Sequence, residues 1–282
     1  MAGNGSSMGG IVGRSAAMQR VRERVAALAT LSVPVLVRGE EGSGRSHVVA
    51  ALRALRGEDR ELWALRSGDR RLLAPLDPRR STLLEEVTHF TPVEQARWRD
   101  VLQSARGVPA SLYATSSEEL AEAARCGAFD TALADALARF SIALPPLRER
   151  QGDLPELAAA LAERACERLG RDSVAWSRPA LRLLQAQSWP GNVRELAGAV
   201  ERLVAFAGGA RIERSHVEAL FDESPRSVGA MRHARTRRQR EELLRLIDET
   251  GGNLAEVARR LEMSRGGVIY RAQKFGLMKK SS

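Results

Sequence analysis

The run Gly39-Glu40-Glu41-Gly42-Ser43-Gly44-Arg45-Ser46 has the spacing of a loop that holds phosphate groups. Glycines allow backbone N–H groups to converge on an anion at the start of a helix, where the helix dipole also favours negative charge. Arginine stands at position 45, where such loops carry a lysine that reaches the outer phosphates. Arg45 keeps the positive charge, but its planar fork is larger and prefers bidentate contacts. Ser46 keeps a hydroxyl suited to a magnesium ion. Gly39, Gly42, Gly44, Arg45 and Ser46 are therefore candidates to bind ATP or ADP, with Ser46 facing Mg²⁺. A glycine turn that joins a strand to a helix and holds no ligand is the alternative.

The elements needed to position this loop are legible around it. Val33-Pro34-Val35-Leu36-Val37 reads as a short apolar strand leading into the loop, and Ser46 to Leu55 reads as the helix that follows it. Residues 62–65, 81–84, 111–114 and 140–144 are further strand candidates, and strands alternating with helices point to a parallel α/β sheet. A helix is expected after Ser15, with Met18, Val21, Val25 and Leu28 on its apolar stripe. Helices over 154–169, 179–187, 193–206 and 215–221 follow the sheet as a separate helical lid. The expected organisation is a flexible tail over 1–10, an α/β part over 11–150, a helical lid over 151–221, a linker over 222–237 and an all-α domain over 238–282.

Composition narrows the function classes. The chain has 282 residues and is 44% hydrophobic, ordinary for a globular protein with a sizeable core. No apolar run approaches the roughly 18–20 residues that span a bilayer, so no membrane partner is expected. The first ten residues lack the basic and apolar regions of a secretory signal, and no sensory domain is expected ahead of residue 11. Cys126 and Cys166 lie far apart without metal-ligand spacing, which predicts two buried free thiols and a cytoplasmic protein. Charge is concentrated at one end. Residues 226–282 hold 14 Lys and Arg against 6 Asp and Glu, whereas residues 1–225 hold 30 against 29. A basic module attached to a neutral body suits contact with a phosphate backbone.

Three segments carry a resemblance: Leu144-Pro-Pro-Leu-Arg-Glu-Arg150, Gly152-Asp-Leu-Pro155 and Trp189-Pro-Gly-Asn-Val-Arg-Glu-Leu196. With them in place, residues 11–221 resemble the central AAA+ domain of the NtrC-type, sigma-54-dependent enhancer-binding activators. The resemblance implies an AAA+ P-loop parallel sheet with a helical lid, and it assigns further positions. Glu85 stands where the metal-associated aspartate is expected, and Glu86 at the water-activating position. The sensor asparagine falls on Ser116, and the second-sensor arginine on Arg194, which is retained. The two arginine fingers fall on Asp130 and Ala136, with Arg139 as the only nearby replacement. An arginine supplied to the transferring phosphate can be worth about 10³–10⁵ in rate, so their loss predicts poor hydrolysis. The family's long sigma-contacting insertion, bearing Gly-Ala-Phe-Thr-Gly-Ala, has no room here, since Arg45 and Glu85 lie 40 positions apart. Contact with sigma-54 RNA polymerase through that loop is therefore not expected. The alternative is an active Mg-ATPase that remodels sigma-54 polymerase.

The basic end resembles the Fis-type helix-turn-helix that closes many such activators. Residues 241–250 read as its first helix, Gly251-Gly-Asn253 as a stop and a cap, 254–261 as the supporting helix and 265–274 as the recognition helix. The resemblance implies binding to double-stranded DNA as a homodimer or a higher homo-oligomer. Arg265, Ile269, Tyr270, Arg271 and Lys274 are the expected contacts to bases and phosphates. Gly267 weakens the helix start by about 1 kcal/mol.

Overall fold

The computed structural model describes residues 10–75, 77, 79–104, 111–206, 211–222, 243–261, 263–275 and 277. The expected tail before Gly10, the linker after Asp222 and the opening of the C-terminal segment at 238–242 lie outside the described residues. The chain divides into two compact units, one built from residues 1–26, 39–55 and 144–233, the other from 27–38, 56–143 and 234–282.

The second unit holds the sheet. Its strands are β1 (Val35–Arg38), β2 (Leu62–Leu65), β3 (Ser81–Leu84), β4 (Leu112–Ser116) and β5 (Ser141–Ala143), all parallel in the order β2-β3-β4-β1-β5. β3 and β4 are buried at every residue, as central parallel strands covered on both faces must be. Leu36, Leu84, Leu112 and Ala114 share a core with Trp98 of α3 (Pro92–Gln103), Leu120 of α4 (Leu120–Arg125) and Leu133 and Leu137 of α5 (Thr131–Ala138). The five expected strands all form, displaced at their ends by at most two residues. The parallel sheet of the AAA+ P-loop fold is thus present. α3 has a clear local signal that the reading above did not use: Thr91 and Glu94 cap each other reciprocally around Pro92.

A polar knot closes one end of this sheet. Glu58 accepts from the Tyr113 hydroxyl at 2.8 Å and from Ser81 Oγ at 2.9 Å. Arg56 spans the same site, donating to the carbonyls of Leu28, Leu31 and Val33. Burial and the neighbouring Glu58 push the Tyr113 phenol well above its ordinary range.

The first unit contains most of α1 (Ala16–Ala29), then α2 (Arg45–Leu55), α6 (Leu154–Leu169), α7 (Arg178–Gln185), α8 (Asn192–Phe206) and α9 (Arg214–Asp222). A short parallel pair, β6 (Ala175–Trp176) with β7 (Arg211–Ile212), ties the lid helices together. Leu154, Leu157, Leu184, Trp189, Leu196, Val200 and Leu203 form their core. The arm before α1 is fixed by one carboxylate. Asp153 is almost fully buried and accepts from Arg14 N, Ser15 N and Ser15 Oγ, each at 2.7 Å. Gly13 makes this approach possible: at φ +127°, a Cβ there would lie 2.6 Å from Asp153 Oδ2.

Three C-terminal helices, α10 (residues 243–249), α11 (Leu254–Arg260) and α12 (Arg265–Lys274), pack around Leu243, Leu246, Val257, Ala258, Val268 and Ala272. Gly251 and Gly252 adopt positive φ, and Asn253 caps α11 through Glu256 N at 3.3 Å. Of the two cysteines, Cys166 is buried but Cys126 is only half-buried, because it sits at the C-cap of the short helix α4. Both thiols are free, no group of His, Cys, Asp and Glu among the described residues could hold a metal, and no described helix is long and apolar enough to cross a membrane.

Replacing Asp153 with alanine leaves two backbone donors and one hydroxyl without their acceptor, an expected loss of about 3 kcal/mol. The urea midpoint of Asp153→Ala should fall accordingly; a midpoint equal to that of the unaltered protein would mean that the arm is held by something else.

Candidate functional site

The glycine loop opens onto a cavity of about 370 Å³ within the first unit. Gly42, Ser43, Gly44, Arg45 and Ser46 form one side, and Ile11, Val12, Leu157, Leu161 and Val193 give it an apolar wall. Arg45, His47, Arg150, Arg164 and Arg194 also line it, and no carboxylate does among the described residues. An apolar slot joined to a cationic end suits a ligand with a flat apolar part and several negative charges.

Local structure explains how the loop keeps its shape. Ser43 N donates to Glu40 O at 3.1 Å, and His47 and Val48 N both return to Gly44 O as α2 begins. Gly42 has φ +76°, and a Cβ there would stand 2.2 Å from Gly191 O, so only glycine allows the loop and the lid turn to approach so closely. Arg194 N donates to Gly42 O at 3.2 Å across the same contact. Arg150 is buried and donates to Ser43 O at 2.8 Å and to Met18 Sδ at 2.9 Å. Burial presses its guanidinium below the ordinary value, and the nearby Asp153 opposes that.

The lid side is held by Asn192, which is fully buried and left-handed at φ 54°. Its Oδ1 accepts from Leu147 N at 2.8 Å, and its Nδ2 donates to Glu40 Oε2 at 3.1 Å and Glu41 O at 3.0 Å. Asparagine tolerates this backbone region better than other residues with a side chain. Arg148 adds a bidentate ion pair to Glu40, both contacts at 2.8 Å. Neither Arg150 nor Asn192 was singled out above as a functional residue, although both lie in the segments that carry the resemblance.

The predicted nucleotide residues of the loop therefore come together with Arg194 around one cavity, except that Gly39 does not line it. Arg45 is buried at the first position of α2, and Ser46 is exposed beside it. Glu85 and Glu86 belong to the other unit. There Arg66 pairs with Glu85 through a short Nε–Oε2 contact, and this carboxylate raises the Arg66 value above its usual range. Glu86 has left-handed backbone at φ 53°, accepts from Ser117 N at 2.9 Å through Oε2, and donates its own N–H to Thr115 Oγ1 at 3.2 Å. Ser116 is fully buried, its hydroxyl donating to Glu118 O at 2.7 Å. At the finger positions, Asp130 caps α5 by accepting from Leu133 N at 2.8 Å and pairs with Arg99 at 2.9 Å. Arg139 is exposed at the end of α5.

On α12, Arg265 is exposed, while Ile269, Tyr270 and Arg271 are half-buried and Lys274 closes the helix. Desolvation, with the carboxylates of Glu118 and Glu122 nearby, pushes the Tyr270 phenol upward.

Comparison with known proteins agrees with this architecture. Residues 12–147 match the sigma-54 interaction domain, and residues 148–233 match the AAA+ ATPase lid domain. These two contiguous matches run over residues 12–233 and give the chain the order of a sigma-54 interaction domain followed by an AAA+ lid. It is 28% identical to the transcriptional regulatory protein ZraR of Escherichia coli, over 94% of this chain and 68% of that protein. It is also 28% identical to the Nif-specific regulatory protein of Klebsiella pneumoniae, over 95% of this chain and 59% of that one. The fold is shared with NtrX from Brucella abortus, solved in complex with ADP, at a TM-score of 0.65 and 23% identity over 94% of this chain and 68% of that one.

His47 offers a test of the cavity's electrostatics. Partial desolvation, followed by the Arg164 charge, lowers its value below the ordinary 6.5. A lowered folded value means that its contribution to stability is complete above 6.5 and is lost as pH falls below that point. The stability difference between the unaltered protein and His47→Gln should therefore shift against the unaltered protein between about pH 7 and pH 5. Parallel stability curves for the two would show that His47 is not held neutral by its surroundings.

Proposed function

We propose that this chain is a DNA-binding transcription regulator whose AAA+ core holds ATP or ADP without hydrolysing it efficiently. The observation that carries the nucleotide part is the cavity itself, with four arginines and a histidine on its walls and no carboxylate among the described residues. In this reading the backbone of Gly42 to Ser46 cradles the phosphates, while Arg45 and Arg194 meet their charge. Ile11, Val12, Leu161 and Val193 receive the base. A bound nucleotide would bring the transferable phosphate, and Mg²⁺ would meet the Ser46 hydroxyl.

The residues expected to drive hydrolysis support restraint. Glu85 is engaged by Arg66, and an ion held by Glu85 would have to displace that pairing. Asp130 serves as a helix cap and an ion-pair partner where a cationic finger is expected. Removing charge stabilisation of this kind costs several powers of ten in rate. Residues 238–282 serve as a Fis-type helix-turn-helix on double-stranded DNA, with Arg265, Ile269, Tyr270, Arg271 and Lys274 as contacts, and the protein acts as a homodimer or larger homo-oligomer. The short span between Arg45 and Glu85 leaves sigma-54 polymerase without its usual contact loop.

A second reading, an ATP-hydrolysing activator, draws on the match to the sigma-54 interaction domain and on exposed Arg139, which could act across a subunit boundary. Nucleotide binding and phosphate release separate the two. ADP is expected to bind with a Kd below about 1 mM, while phosphate release from MgATP stays at the level of Glu86→Gln. Turnover that Glu86→Gln abolishes would establish the second reading, and absence of binding would remove nucleotide from the account.

A further inference from the structure

Within the sheet-bearing unit, the first turn of α12 meets the Cys126–Gly127 turn through atoms that leave no room for a side chain. A Cβ on Gly266 would lie 2.5 Å from Cys126 O and 2.7 Å from both the carbonyl carbon and oxygen of Gly127. Those neighbours are backbone and cannot swing aside as the tip of a flexible side chain would. Gly127 presents its own bare face in return: at φ +68°, a Cβ there would stand 3.9 Å from Gly266 Cα. Beside this glycine-on-glycine contact, Ser264 Oγ donates to Gly127 O at 3.0 Å while also accepting from Gly267 N at 3.0 Å. One helical turn further on, the Glu118 carboxylate and that of Glu122 in α4 lie near the Tyr270 hydroxyl.

Glycine is a costly choice at this place in a helix, because it loses more freedom on ordering than any other residue. Two adjacent glycines, Gly266 and Gly267, stand in the first turn of α12. Close packing of Gly266 on the Cys126–Gly127 backbone accounts for the first of them. The acidic residues beside α12 add to this contact, Glu122 while also pairing with Arg125 at 3.7 Å. Glu118 and Glu122 are carboxylates set against a segment that is otherwise basic, and they would repel a phosphate backbone brought to the same face.

We propose that the Cys126–Gly127 turn, with Glu118 and Glu122, forms a docking surface for the chain's own α12, and that DNA must displace α12 from it. This rests on the reading of α12 as the recognition helix. Docked, the helix has the Gly266 face of its first turn against backbone and Tyr270 beside the Glu118 carboxylate, and both lie along the stretch where a recognition helix meets base edges. The protein therefore exists in a masked form and an open form, and DNA binds only the open one.

Two variants of the full chain test this from opposite sides of the contact. Gly266→Ala introduces the clash and also favours helix, so it opens the contact while keeping α12 folded. Glu118→Ala removes the Tyr270 partner without touching α12, and Glu163→Ala, an exposed position in the other unit, matches its charge change. Amide exchange over residues 264–270 and 123–128 is measured for each, together with affinity for a short mixed-sequence DNA duplex. Expected are faster exchange in both segments and duplex affinity raised about tenfold in Gly266→Ala and Glu118→Ala, with Glu163→Ala unchanged. Unchanged exchange in both variants overturns the docking surface. Faster exchange with unchanged, measurable duplex affinity overturns the masking. If no variant binds duplex while exchange still quickens in both, the docking stands and the recognition-helix reading fails.

Discussion

Burying the guanidinium of Arg150 fixes the phosphate loop, and the cavity depends on that. A cation taken out of water must find acceptors, and Arg150 finds the carbonyl of Ser43 in the loop and the sulfur of Met18 in α1. Three residues further along, Asp153 takes up the backbone N–H groups of Arg14 and Ser15. The loop, the arm before α1 and the start of the lid are thus fastened by one short stretch of chain. Asn192 fastens the opposite side through Leu147, Glu40 and Glu41. Each of these contacts satisfies a buried polar group, so losing one exposes an unmet donor or acceptor as well as breaking a bond.

The consequence is a cavity wall set by contacts within the chain. Gly42 lies against Gly191 with no space for a methyl group, and Arg194 is bonded through its backbone to the loop that its side chain faces the cavity beside. A preformed cationic cradle lowers the ordering cost of binding an anion. The charged residues near the expected chemistry follow a different pattern. Glu85 is matched by Arg66, Asp130 by Arg99 and by the start of α5, and Ser116 by its own turn. Each of these side chains has a partner within the fold.

Much of this was open to inspection in the sequence. The strand before the loop, the loop and the helix after it follow from apolar periodicity broken by glycine, and α6 begins and ends at the expected residues because Pro155 and Gly170 bracket a regular apolar stripe. Asp130 shows where such reading stops. The resemblance puts an arginine at its position, but its bonds to Leu133 N and Arg99 depend on α3 and α5 meeting, which no local pattern specifies. Arg150 and Asn192 were visible only as members of longer segments, since their importance comes from partners 107 and 45 positions away. Gly266 was equally opaque: glycine in a helix reads as weakness until the backbone of Cys126 and Gly127 is found against it.

The claim that the loop is held in shape by protein contacts alone is tested most directly by amide exchange at Ser43 and Arg194, with and without ADP. Their N–H groups donate to Glu40 O and Gly42 O, so both should be strongly protected before any nucleotide is added, and ADP should add little. Rapid exchange at either amide without nucleotide, becoming slow only when ADP is present, would show that the ligand builds the loop and would contradict the account.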